Sequence, residues 1–158
     1  IQDFTLRNAD LLALLVRLVE IESPTTDKAA VDRVGALVAG ELRQLGAAVT
    51  IHATVGVGDH VLGRWDPTGR DEIGILVLCH MDTVYNLGAL ASQPCRELDG
   101  RLMGPGTMDM KGSIAMLLTA LRAFREAGAW PKRPLTALFT SDEETGSDTS
   151  RSSRPSGV

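Results

Sequence analysis

The sequence of 158 residues has few cysteines, few aromatic residues and no long basic or apolar run. Its two cysteines, Cys79 and Cys95, are too few for a disulfide scaffold and do not form a CxxC zinc framework. A formal net charge of -4 without a basic cluster excludes the electrostatic footprint of a nucleic-acid-binding protein. No apolar stretch is long enough to cross a membrane, and residues 1–10 lack the features of a secretory signal peptide. We therefore expect a cytoplasmic protein without nucleic-acid or membrane partners. The chain begins with Ile rather than Met, which leaves room for a missing N-terminal segment.

Apolar residues recur at helical spacing in three segments of the chain. Residues 8–21 carry the first stripe, and the second runs from the cap candidates Thr25, Thr26 and Asp27 to a stop at Gly46. The third covers residues 113–127. Because only 4% of the residues are aromatic, the core must consist mainly of Leu, Val, Ile and Ala, which suits helices packed on a sheet.

Strand patterns occupy the segments between these helices. Short apolar runs predict strands near residues 48–52, 60–66, 73–79 and 135–141, with a turn at residues 67–69. The run at 73–79 is nearly continuous, as in a strand covered on both faces, so we expect it to lie centrally in the sheet. Asp99-Gly100 between two alternating runs predicts a tight hairpin. The order of the elements indicates an α/β domain.

Polar side chains follow two of the predicted strands and also lie in a glycine-rich loop. His80 and Asp82 come after one strand, Asp109 lies in the loop, and Glu143 and Glu144 come after the last strand. Ligands of open α/β sheets bind outside the carboxyl ends of the strands. One imidazole with several carboxylates suits Zn²⁺, with Mn²⁺ or Co²⁺ as substitutes. One of the two glutamates could bind metal while the other acts as general base, and Asp82 could orient the imidazole.

Each of these residues, taken alone, has a simpler interpretation. A lone histidine at a strand end is more often a surface or turn residue, and the acidic pair could be a solvated turn or the start of a helix. The glycine-rich loop could also hold a phosphate. Its order Lys111-Gly112-Ser113 is not that of a P-loop, however, so nucleotide binding has little support.

Three motifs together are more specific than any one of these residues. The segments "HMDTVY", "GPGTMDMKGS" and "FTSDEETGS", in this order after two predicted helices, closely resemble the M20 family of metallopeptidases, and within it the glutamate carboxypeptidase group. The resemblance runs from about residue 8 to about residue 151. It implies a three-layer αβα catalytic domain with a mixed, largely parallel sheet that binds two Zn²⁺ ions when its site is complete.

The resemblance also assigns a role to each candidate residue. His80 matches a zinc ligand, Asp82 its supporting acid, and Asp109 the carboxylate that bridges two metals, with a cis peptide bond to Met110. Glu143 matches the general base, and Glu144 matches the adjacent metal ligand. Ser113 stands where the family usually has a second glycine.

The resemblance stops before the later part of the family's catalytic domain. We expect residues 1–151 to be the N-terminal part of that domain, and residues 152–158 to be an unrelated, disordered polar tail. The later ligands and the dimerisation domain are absent, so the chain is expected to be a fragment with weak metal binding and little turnover, although full-length relatives are often homodimers.

The expected activity is hydrolysis of an amide bond in a small peptide or N-acyl amino acid, as in a carboxypeptidase that releases C-terminal glutamate or a similar residue. The alternatives are an aminoacylase, deacetylase or desuccinylase of the same family, and a non-catalytic remnant.

Overall fold

The computed structural model describes residues 7–66, 69 and 74–153. The predicted turn at Pro67-Thr68, the start of the third strand at Ile73 and the last five residues of the tail lie outside them. The helices are α1 (Asn8–Val19), α2 (Lys28–Gln44), the short α3 (Ala89–Ser92) and α4 (Gly112–Glu126). The strands are β1 (Ala48–His52), β2 (His60–Trp65), β3 (Ile75–His80), β4 (Arg96–Leu98), β5 (Arg101–Met103) and β6 (Leu135–Thr140).

The ends of α2 follow the chemistry of their residues. Asp27 caps the helix, since its carboxylate accepts the N–H of Ala30 at 2.9 Å. Gly46 ends the helix in a left-handed conformation with φ of 85°. The predicted hairpin is also confirmed, because Asp99 and Gly100 both have positive φ and join β4 to β5 in the geometry of a type I′ turn.

Four strands form one mixed sheet in the order β1-β2-β6-β3. The predicted α/β class with a mixed sheet is confirmed, but its pairings are not largely parallel in the described residues. Only β3 and β6 are parallel, while β1–β2 and β2–β6 are antiparallel. The short connection between β1 and β2 explains their antiparallel pairing, because it is long enough for a hairpin but too short for a parallel crossover.

The prediction that the third strand lies centrally is wrong. Among the described strands β3 is at one edge of the sheet, and β6 lies between it and β2. The exposed fraction of Leu78 is 60%, so its side of the strand is open. An apolar run indicates that both faces of a strand are expected to be buried. It does not indicate which strands lie beside it, because hydrogen-bond pairing decides that.

The helices α1, α2 and α4 cover one face of the sheet, which we call the inner face. One hydrophobic cluster joins their side chains to alternate strand residues such as Val61, Ala137 and Phe139. Buried Glu41 of α2 ties this layer together, because it pairs with Arg17 of α1 at 3.0 Å and with Arg122 of α4 at 2.8 Å. The opposite, outer face carries residues such as Leu78. The helix layer that the three-layer prediction places on this face is not among the described residues.

The parallel pairing of β3 with β6 brings their carboxyl ends to the same place. His80 is in register with Thr140, so the residues after both strands leave the sheet at one edge. The segment Thr107–Lys111 reaches this edge before α4 begins, with a kink at Asp109 and Met110. The fold therefore collects three segments of the sequence around the end of β3.

Candidate metal centre

His80 lies at the centre of the polar residues at this edge. It is the last residue of β3 and its side chain is buried. Its Nε2 is 3.0 Å from Oδ1 of Asp109, and its Nδ1 is 3.1 Å from the backbone carbonyl oxygen of Asp82. The contact at Nδ1 orients the ring so that Nε2 faces the carboxylates.

Asp82 is fully buried and connects two parts of the site. Its Oδ1 lies 3.4 Å from Nδ1 of His80. Its two carboxylate oxygens also accept the backbone N–H groups of Glu143 at 3.3 Å and Glu144 at 3.2 Å. Thr25 donates its hydroxyl to the same carboxylate at 2.7 Å. Asp82 therefore contacts the histidine and also holds the backbone that carries both glutamates.

Asp109 reaches the site from the kinked segment. Its peptide bond to Met110 is cis, which confirms the implication of the family resemblance. The Met110 sulfur accepts the backbone N–H of His80 at 3.1 Å, so this segment contacts the end of β3 through backbone and side chain. The Asp109 side chain is 75% exposed, which leaves its carboxylate open to a ligand.

Glu143 and Glu144 begin a short helical turn after β6. Oε2 of Glu143 lies 3.8 Å from Nε2 of His80, and its side chain is about half exposed. Glu144 is partly buried. Ligand atoms of His80, Asp109 and Glu144 all lie within 4.8 Å of one another, which is close enough for a single metal ion to contact all three.

Neighbouring charges and hydrogen bonds shift the pKa values of several site residues. Burial alone would lower the pKa of His80, but hydrogen bonds that the imidazole donates to the carboxylates of Asp82 and Asp109 raise it to about 9. Partial burial and the nearby carboxylates raise the pKa of Glu144, while His80 opposes this shift. The pKa of Asp82 is lowered because its hydrogen bonds outweigh the effect of burial.

The donor set fits a divalent cation. One imidazole nitrogen and two carboxylates are ligands that Zn²⁺ accepts, and a cation would stabilise the crowded negative charge that raises the pKa of Glu144. The structure thus brings together every residue predicted for the site, namely His80, Asp82, Asp109, Glu143 and Glu144.

Two residues that contact the site are not predicted from the sequence. Thr25 is predicted only as a helix cap, yet its hydroxyl supports Asp82. Met110 has no predicted side-chain role, yet its sulfur accepts the backbone N–H of His80. No local pattern distinguishes these residues, because each acts through a contact with a distant segment.

A groove of about 680 Å³ lies on the outer face beside His80. Its lining includes Leu76, Leu78, Met110, Leu138, Glu143 and Arg151. The groove therefore combines an apolar sheet face with the polar residues of the candidate metal site. In the part of the chain that the structure describes, no helix is both long enough and apolar enough to span a membrane.

Known proteins resemble this chain in sequence and in structure. Carboxypeptidase G2 of Pseudomonas sp. (strain RS-16) is 38% identical over 143 residues, which cover 89% of this chain and 34% of that protein. Acetylornithine deacetylase of Klebsiella pneumoniae (strain 342) is 38% identical over 112 residues, covering 69% of this chain and 28% of that protein. Human carnosine dipeptidase 1 has the same fold, with a TM-score of 0.79 at 22% identity over 93% of this chain and 35% of that chain.

The chain spans about a third of the length of the curated relatives that it matches. Residues 76–156, slightly more than half of the chain, match the peptidase family M20/M25/M40. This match contains all five predicted site residues. The chain belongs to the M20/M25/M40 family of peptidases.

Proposed function

We propose that this chain provides part of the metal site of an amide hydrolase, in which His80, Asp109 and Glu144 bind Zn²⁺. The observation that carries the proposal is the convergence of these three side chains, which come from separate segments, within 4.8 Å. Co²⁺ or Mn²⁺ would serve as substitutes because they accept the same donors. A second Zn²⁺ would require ligands beyond this set.

Each of the other two residues has a distinct proposed role. Asp82 holds the imidazole of His80 in the orientation that presents Nε2, and it fixes the backbone of the glutamate pair. Glu143 is the general base, because its carboxylate is near His80 yet exposed enough to meet a water molecule and a substrate. A divalent ion in such a site supplies a Lewis acid that polarises the scissile carbonyl and activates water.

We propose a small peptide or N-acyl amino acid as substrate, with release of a C-terminal glutamate or a similar residue. The similarity to carboxypeptidase G2 supports this choice because it extends over 89% of the chain, compared with 69% for the deacetylase. Deacetylation of an N-acyl amino acid is the second candidate, since the deacetylase is equally identical where it matches.

The metal roles can be tested by titrating the metal-free chain with Zn²⁺ in a calorimeter. We expect weak binding, because one imidazole and two carboxylates form only part of a coordination shell. Glu144→Gln should weaken binding further, by about 10-fold or more, as expected for loss of a ligand or its support. Glu143→Gln should leave the affinity nearly unchanged, and Glu97→Gln on the exposed hairpin is the matched control for loss of a carboxylate.

Equal effects of Glu143→Gln and Glu144→Gln would contradict the division of roles. Tight binding of two ions would contradict the expectation of a partial site. Substrate class can be tested on the same protein with glutamate-capped amides and N-acetylornithine. Preferential hydrolysis of the glutamate compounds, abolished by Glu143→Gln, is the expected result, and preference for N-acetylornithine would favour the deacetylase candidate.

A further inference from the structure

His60 is a fully buried histidine outside the candidate metal site. It begins β2, and both of its ring nitrogens have hydrogen-bond partners. Nδ1 is 3.0 Å from the hydroxyl of Ser141, and Nε2 is 3.0 Å from the hydroxyl of Thr149. Buried histidines are often satisfied in this way, but here the two partners are eight positions apart on the same segment.

Ser141 and Thr149 stand at the two ends of the segment that carries Glu143 and Glu144. We call residues 142–148 the acidic loop. The carboxylate of Asp142 connects its two ends directly, because Oδ2 accepts the backbone N–H of Thr149 at 2.7 Å and the hydroxyl of Thr149 at 2.8 Å. The imidazole of His60 lies across the same two ends. The loop is therefore closed at its base by two side chains.

The protonation state of His60 suits contacts with both hydroxyl groups. Burial lowers the pKa of the imidazole, opposed by the negative charges of Asp142 and Asp59 and assisted by His52, so the ring is neutral near pH 7. A neutral imidazole has one donor and one acceptor nitrogen, and each hydroxyl has one proton. The Thr149 hydroxyl donates its proton to Asp142, so His60 donates from Nε2 to Thr149 and accepts the Ser141 hydroxyl at Nδ1. The Ser141 hydroxyl also lies beside the Gly58 carbonyl, in the segment before β2, and its single proton serves only one of these two acceptors at a time.

A second residue, Asp82, holds the acidic loop at the glutamate pair. Asp82 accepts the backbone N–H groups of Glu143 and Glu144, but it contacts no atom at the base of the loop among its described hydrogen bonds. Without a closed base, the segment could shift while Asp82 kept one of its two long contacts. The position of Glu144 relative to His80 and Asp109 thus depends on both attachments.

We propose that His60 is a positioning residue that closes the acidic loop and thereby sets the distance of Glu144 from His80 and Asp109. This inference rests on the metal role proposed above for Glu144. It concerns a residue that is neither one of the three candidate ligands nor part of the groove lining in the described structure. Its effect is transmitted through Ser141 and Thr149.

The test uses the metal-free 158-residue chain and replaces His60 in three ways. His60→Phe keeps a buried ring but removes both nitrogens. His60→Asn places an amide near the position of Nδ1, and His60→Gln places one near Nε2, so each can restore one contact. His52→Gln is the matched control, because His52 pairs with His60 across the two strands.

Hydrogen exchange of individual backbone amides reports on the loop without any metal. We expect His60→Phe to raise the exchange rates of the amides of Glu143, Glu144 and Thr149 by at least about 10-fold relative to the original protein. The exchange rates of the amides in α2 should stay unchanged, since local opening exposes only the acidic loop. His60→Asn and His60→Gln should give intermediate rates, and His52→Gln should match the original protein. If His60→Phe does not fold, the two amide variants supply the comparison.

Calorimetric titration with Zn²⁺ then links the loop to the proposed site. Supporting residues typically change metal affinity by about 10–100-fold, so His60→Phe should weaken Zn²⁺ binding by at least about 10-fold. Unchanged loop exchange in a folded variant, or an increase shared equally by the whole chain, would overturn the positioning role. Absence of Zn²⁺ binding by the original protein, together with faster loop exchange in the variant, would refute the metal function but not the closure of the loop.

Discussion

Replacement of Asp82 provides the most direct test of how the candidate site is held together. Its carboxylate is 1% exposed and accepts the hydroxyl of Thr25 at 2.7 Å and the backbone N–H groups of Glu143 and Glu144 at 3.3 Å and 3.2 Å. Asp82→Ala removes all of these acceptors at once. Asp82→Asn keeps the shape and one carbonyl oxygen, but it removes the charge and turns one acceptor into a donor.

The expected loss in the free energy of unfolding follows from the number and length of these hydrogen bonds. A hydrogen bond to a charged group contributes about 1.5–3 kcal/mol, and the two backbone bonds are long enough to fall at the lower end. Removal of one partner from a buried charged cluster typically costs about 3–5 kcal/mol. We therefore expect Asp82→Ala to lower the free energy of unfolding by about 3–5 kcal/mol, and Asp82→Asn to lower it by about 1–2 kcal/mol.

The effect should also depend on pH in a defined direction. Burial opposes ionisation of Asp82, yet hydrogen bonds from His80, Thr25 and the Glu144 N–H lower its pKa below the ordinary value of 3.8. A carboxyl whose pKa is lower in the folded state stabilises the protein fully above its unfolded pKa. The difference between the original protein and Asp82→Asn should be largest between pH 3.8 and 6.5. It should shrink as the pH falls below 3.8, and also as the pH rises from 6.5 toward about 9, where His80 loses the proton that Asp82 stabilises.

Urea denaturation of the metal-free chain, followed by far-UV circular dichroism, measures these free energies. Asp10→Asn in the first turn of α1 is the control, because that aspartate is exposed. A change for Asp82→Asn within about 0.5 kcal/mol of the original protein, as is usual for a surface substitution, would refute this account of the site.

Two further predictions concern the loop before α4 and the thiol of β3. Gly106→Ala should lower the free energy of unfolding, measured by urea denaturation, by about 1 kcal/mol or more beyond the loss caused by Gly128→Ala. Both glycines have positive φ, but only a Cβ at position 106 would lie 2.6 Å from the Thr83 side chain. Equal losses in the two variants would contradict the contact with Thr83. Cys79 should be alkylated slowly at pH 8, at a rate that rises about tenfold per pH unit, because burial raises the pKa of its thiol to about 11. Peptide mass mapping measures this rate, and reaction at the rate of the denatured chain would show that the thiol is not protected.

The helices and the hairpin could be predicted because their signals are local. The stripe of α1, the cap and stop of α2 and the Asp99-Gly100 turn each lie within a few neighbouring residues, where periodicity and backbone preference act directly. The position of β3 could not be predicted in this way. Its apolar run suggested a central strand, but lateral order depends on pairing with β6, which lies 60 positions further along the chain.

The sequence by itself determined which residues follow the strands and lie in the glycine-rich loop, and hence that His80, Asp109 and the pair Glu143-Glu144 were candidates for one site. Only the tertiary structure decided which other residues support them. Thr25 meets Asp82 across 57 positions, and His60 meets Thr149 across 89. Such contacts leave no periodic or local trace in the sequence, because they arise when packing of helices and strands brings distant segments together, and each buried polar group must then find a partner.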